Sequence, residues 1–75
     1  MTRLILTDVH QDGLNRYALL DRLARNLTDH VGRPVQLSTD HKTTAILHTT
    51  APADRLQAAA DLWCPGHVIT WEVAA

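Results

Sequence analysis

Short stretches in which apolar and polar residues alternate predict four β-strands. A period of two places every second side chain on the same face of a sheet. The four predicted strands span 3–9, 35–39, 43–49 and 67–73. The second and third are separated only by Asp40-His41-Lys42, which predicts a short hairpin connection and antiparallel pairing.

Two longer segments repeat apolar residues at the spacing of an α-helix. The first helix is predicted over 14–31, and its inner stripe consists of Tyr17, Leu20, Leu23, Ala24, Leu27 and Val31. Gly32 and Pro34 then predict where it ends. The second helix is predicted from 51 or 52 to 63, and its inner stripe consists of Leu56, Ala59, Ala60 and Trp63.

The resulting order, β-α-β-β-α-β, predicts one α+β domain over residues 1–75. Right-handed crossovers place both helices on one face of a four-stranded antiparallel sheet. The expected strand order is 4-1-3-2, which is the ferredoxin-like arrangement. Because this fold carries many unrelated functions, function has to be argued from the surfaces.

The second face of the predicted sheet has no helix of the chain to cover it, and we expect it to form an interface. Its half-apolar character is typical of a surface that meets another one. A core of this size also contributes only about 3–5 kcal/mol of net stability, which favours further burial. The predicted interface residues are Ile5, Thr7, Val9, Thr44, Ile46, His48, Val68 and Thr70.

Homodimerisation is compatible with this surface, and stacking of two sheet faces is the favoured geometry. Pairing along the exposed edge of the second or of the fourth strand is the alternative. The predicted shortness of the second strand and Pro34 before it discourage edge pairing there.

Composition narrows the range of partners and of compartments. The formal net charge is −1, with seven basic and eight acidic residues, so the basic face typical of nucleic-acid binding is not expected. The apolar run Leu4-Ile5-Leu6 is too short to span a membrane, so no membrane association is predicted. The single cysteine, Cys64, excludes an intramolecular disulfide and favours a reducing compartment, which we interpret as the cytoplasm.

Candidate chemistry is sparse, and we predict no catalytic, cofactor or metal site. The strongest metal candidates are Asp8, His10, Asp12 and His67, which antiparallel first and last strands would bring together and which suit zinc. Their spacing matches no recognised ligand motif, so solvated turn residues are the preferred interpretation. His67 is close to Cys64 in sequence, but no third group is evident, so a partly buried structural thiol is the preferred interpretation. The three glycines lie at element ends rather than in a phosphate-binding loop.

These observations favour a small, non-enzymatic protein–protein interaction module that acts by occlusion. Six of the seven basic residues are arginine, which is typical of coding from a GC-rich bacterial or phage genome. We therefore expect a phage or mobile-element accessory protein that inhibits a host factor or a host defence.

Two other functions are kept as alternatives. The first is an ACT-like regulatory domain that senses a small molecule, because ACT modules share this strand order and the Asp12-Gly13 turn is compatible with such a site. The second is a His/Asp metal-binding protein.

Overall fold

The computed structural model describes residues 1–64 and 69–74. The elements in chain order are β1 (Thr2–Thr7), α1 (Gly13–Val31), β2 (Val35–His41), β3 (Thr44–Thr49), α2 (Ala53–Trp63) and β4 (Thr70–Ala74). The strands form one antiparallel sheet in the order β2-β3-β1-β4. This confirms the predicted α+β fold, its ferredoxin-like element order and the strand order 4-1-3-2.

The core lies between one face of the sheet and the two helices. α1 contacts β2, α2 contacts β1 and β4, and the helices contact each other. The alternating residues of β1 and β3 and the inner stripes of the helices supply the fully buried leucines, which are Leu4, Leu6, Leu27, Leu47 and Leu56. Each buried leucine contributes about 1.5–3 kcal/mol relative to an exposed one.

β1 ends two residues earlier than predicted, and this corrects the expected position of Val9. Asp8 has a φ of 57°, so the alternation of faces is interrupted directly after Thr7. Val9 turns inward and is only 1% exposed. Its N–H donates to the carbonyl of Thr43 at 2.9 Å. Val9 is therefore a core residue, and its assignment to the uncovered face was wrong.

The β2–β3 hairpin is tighter than predicted. Asp40 and His41 belong to β2, where they pair with Ala45 and Thr44. The connection between the strands is reduced to two residues, of which Lys42 has a φ of 53°. β2 is thus seven residues long, and the expectation of a short second strand was wrong.

The inner stripe of α1 stops short of Tyr17, which is 70% exposed. Leu20, Leu23, Leu27 and Val31 are the buried residues of this helix. Tyr17 lies to one side of that stripe, near the free edge of β2. Because β2 is the last strand of the sheet, no further strand lies there to cover the Tyr17 side chain. Leu37 lies on the helix side as predicted, opposite Leu47, but as an edge residue it remains 42% exposed.

The two tryptophans differ in their surroundings. Trp71 of β4 is partly buried against the core, as predicted, and its Nε1–H donates to the Cys64 carbonyl at 2.7 Å. Trp63 is the last residue of α2 and is 43% exposed, so its assignment to the core was wrong. The buried Ala59 and Ala60 bring α2 close to the sheet, which leaves no room for a whole indole beneath the helix end.

Candidate interaction surface

The face of the sheet opposite the helices, which we call the open face, is built from alternate residues of all four strands. At its centre Ile5 of β1 pairs with Ile46 of β3. Thr39 of β2 lies beyond Ile46, and Glu72 of β4 lies beyond Ile5. This row therefore crosses the whole sheet with two isoleucines in the middle and a polar residue at each end.

The neighbouring rows of the open face are polar. On one side Arg3 pairs with His48, and His48 in turn pairs with Gln36. On the other side His41 pairs with Thr44, and Thr7 pairs with Thr70. Ile5, Thr7, Thr44, Ile46 and His48 are all partly buried, whereas Thr70 is exposed.

The open face is less apolar than the sequence predicted. Val9 is in the core, and Val68 lies outside the described residues. Of the four aliphatic residues expected there, the isoleucine pair is what the described strands place on it. The surface is thus a small apolar centre within a rim of hydroxyl groups, two imidazoles, one amide, one guanidinium and one carboxylate.

One corner of the open face is held by hydrogen bonds between β1 and β4. The Thr7 hydroxyl donates to the Thr70 carbonyl at 3.3 Å, and the Thr70 hydroxyl donates to the Asp8 carboxylate at 3.2 Å. These contacts use Asp8 as a structural acceptor at the end of β1. They also fix the side chains that border Ile5.

The expected metal ligands are not assembled within the described part of the chain. Among residues 1–64 and 69–74, no three histidine, cysteine or acidic side chains are close enough to hold an ion. Asp8 bonds to Thr70, and His10 and Asp12 are exposed. His67, the fourth candidate, lies outside the described residues.

Cys64 is a buried thiol with no sign of activation. It is 1% exposed, and burial raises its pKa from 9.0 to about 11. A nucleophilic cysteine requires the opposite shift, because the thiolate is the reactive form. The environment of Cys64 is that of a structural residue.

Arg16 organises the end of the sheet that lies below α1. Its guanidinium bonds to the Asp40 carboxylate and donates to the carbonyls of Val9 and Thr44, each at 3.2 Å. The side chain is only 11% exposed. All of its partners are groups of the protein itself, so this cluster fastens α1 to β2 and β3.

A second surface, which the strand alternation did not predict, is a groove between α1 and the free edge of β2. One half, of about 410 Å³, is lined by Tyr17, Leu20, Asp21, Ala24, Gln36 and Leu37. The other half, of about 380 Å³, is lined by Asp21, Ala24, Arg25, Thr28, Asp29 and Val35. The signal in the sequence was Tyr17 at the margin of a leucine stripe, with the small residue Ala24 two helical turns further along the same side.

No protein-family model, no curated protein and no solved structure matches this chain. No helix among the described residues is long and apolar enough to cross a membrane.

Proposed function

We propose that this chain is a small protein-binding module whose open face covers a surface of another protein, without catalysis. The observation that carries the proposal is the central Ile5–Ile46 pair on a sheet face that neither helix covers. An apolar centre within a polar rim is the usual anatomy of a protein–protein interface. Inhibition follows wherever the covered surface is one that the bound protein needs.

The chemistry of the open face describes the surface that would fit it. The two isoleucines require a flat apolar patch on the bound protein. Arg3 of β1 and Glu72 of β4 are diagonal neighbours that both border Ile5, and they call for an acidic and a basic group at matching, adjacent positions. Because the residues belong to strands of one hydrogen-bonded sheet, the face is ordered before binding and little entropy is lost on association.

The test is a quantitative affinity capture from lysate of the source organism with three matched baits. The baits are the unchanged protein, Ile46→Glu on the open face, and Leu62→Glu on α2, where Leu62 is 59% exposed. We expect at least one protein to be enriched by the first and third baits and lost with Ile46→Glu, because a carboxylate at the centre cannot be desolvated against an apolar patch.

Circular dichroism of all three baits checks that each remains folded. Equal capture by Ile46→Glu and by the unchanged bait would contradict a role for the open face. Loss of capture with Leu62→Glu alone would move the binding surface to the helix side.

A further inference from the structure

We propose that two copies of this chain associate across a two-fold axis through the groove between α1 and β2. In this dimer the α1 helices lie antiparallel, and Tyr17 of each copy enters the half-groove of the other that Ala24, Thr28 and Val35 line. The surface is separate from the open face, so the dimer and the proposed function stand independently.

Three of the six large apolar side chains that are exposed among the described residues belong to α1 or β2, the two elements that form the groove. Leu14 is 86% exposed, Tyr17 70% and Leu37 42%. Leu14 and Tyr17 are one helical turn apart, and Tyr17 lines the same half-groove as Leu37. Exposed apolar side chains at one edge, beside a groove, are typical of a surface that is covered in the assembled protein.

The free edge of β2 is interrupted at two points, which discourages the addition of a strand and favours contact through side chains. The Val35 N–H donates to the Thr28 hydroxyl at 2.9 Å. Further along, the pairing of β2 with β3 is irregular between Leu37 and Thr39, so one extra residue bulges there. Engaged amides and bulges are the devices by which natural edge strands avoid pairing with another chain.

The charged side chains beside the groove can pair with the same side chains of a second copy that is related by a two-fold axis. Asp21 and Arg25 are four residues apart, and their side chains lie 3.1 Å from each other on the helix surface. A two-fold axis at the height of residue 23 along the helix, on the face that carries Asp21 and Arg25, places Asp21 of one copy opposite Arg25 of the second, and the reverse. Such reciprocity is the requirement for an isologous interface.

The same axis places Tyr17 opposite residue 29 of the second copy. There the half-groove has a floor of small and aliphatic side chains, from Ala24, Thr28 and Val35, and a polar rim that includes Asp29. The phenol ring covers this floor. Ala24 also allows two helices to approach to about 8–10 Å.

Sedimentation equilibrium over a range of protein concentrations tests the dimer. We expect a species of twice the 8.3 kDa chain mass. Tyr17→Ala should weaken association about 30-fold, the effect of removing an interface hot spot. Tyr17→Phe, which keeps the ring, should weaken it only a few-fold.

A charge exchange tests the register. Asp21→Arg and Arg25→Asp should each sediment as monomers, because each variant places like charges opposite one another. The two variants mixed in equal amounts should form a heterodimer, and the double variant should recover the homodimer. Loss of the Asp21–Arg25 pair within one helix cannot produce this pattern, since that loss is not repaired by mixing.

Three results would overturn the proposal. The first is a monomer at every concentration of the unchanged protein. The second is a dimer that persists in Asp21→Arg. The third is a dimer abolished by Ile46→Glu but not by Tyr17→Ala, which would instead indicate stacked open faces.

Discussion

The position of Val9 was decided by the backbone of the residue before it. The sequence 3–9 alternates well enough to predict one continuous strand. Asp8, however, adopts a positive φ, and the alternation rule holds only where the extended conformation continues. Aspartate tolerates this region better than most residues, yet nothing in the local pattern shows that it uses it here.

Arg16 is the side chain whose contribution to the free energy of unfolding is most directly tested by a substitution. Arg16→Ala would leave the Val9 and Thr44 carbonyls and the Asp40 carboxylate without their donor. We expect the free energy of unfolding to fall by about 1.5–3 kcal/mol, as measured by urea denaturation.

Arg22→Ala is the matched control for Arg16, because Arg22 is an exposed arginine of the same helix. It should cost about 0.5 kcal/mol or less. Equal losses in the two variants would contradict a clamping role for Arg16.

Cys64 makes stability depend on pH in the alkaline range. Burial raises its pKa from 9.0 to about 11. The unfolded chain therefore releases the thiol proton first, and stability should fall as the pH rises from about 9 toward 11. Urea denaturation at several pH values measures this fall, and Cys64→Ala should show a smaller one. Identical pH dependence in both proteins would mean that the thiol does not carry the effect.

At the scale of elements, the spacing of apolar residues predicted the helix α1, but it did not show which part of the helix lies over the edge of the sheet. A repeat of apolar residues shows that they share a side of a helix, and Tyr17 belongs to that repeat. Which members are covered depends on where the helix lies across the strands. Since α1 packs beside the edge strand β2, the side of the helix that carries Tyr17 lies over a groove and not over the core.

Thr28 joins α1 to β2, and a nearly isosteric substitution isolates this link. Its hydroxyl donates to the Ala24 carbonyl at 2.7 Å and accepts from the Val35 N–H at 2.9 Å. Thr28→Val keeps the shape and removes the acceptor, so we expect a loss of about 1 kcal/mol in the free energy of unfolding.

Thr28→Ser keeps the hydroxyl and should retain most of that stability. Amide hydrogen exchange provides a local readout, because the Val35 N–H should exchange faster in Thr28→Val than in Thr28→Ser. Unchanged exchange at Val35 would show that the hydroxyl does not protect the edge of β2.

At the scale of the whole molecule, the order and pairing of the strands followed from the sequence, while the surfaces followed only in part. Short connections and right-handed crossovers leave few arrangements for two helices and four strands. Of the eight residues expected on the open face, six lie there, Val9 lies in the core and Val68 lies outside the described residues. The groove depends on how a helix sits against an edge strand, and that is a property of tertiary packing which residue patterns do not encode.

The central position of β1 has a consequence for biosynthesis. β1 pairs with β4 through contacts such as Arg3 with Ala74 and Thr7 with Thr70, which join positions at opposite ends of the sequence. While the ribosome is still extending the chain, the first strand therefore lacks one of its two neighbours. The sheet is completed only after β4 has emerged from the ribosome, and until then the leucines of β1 are available to chaperones.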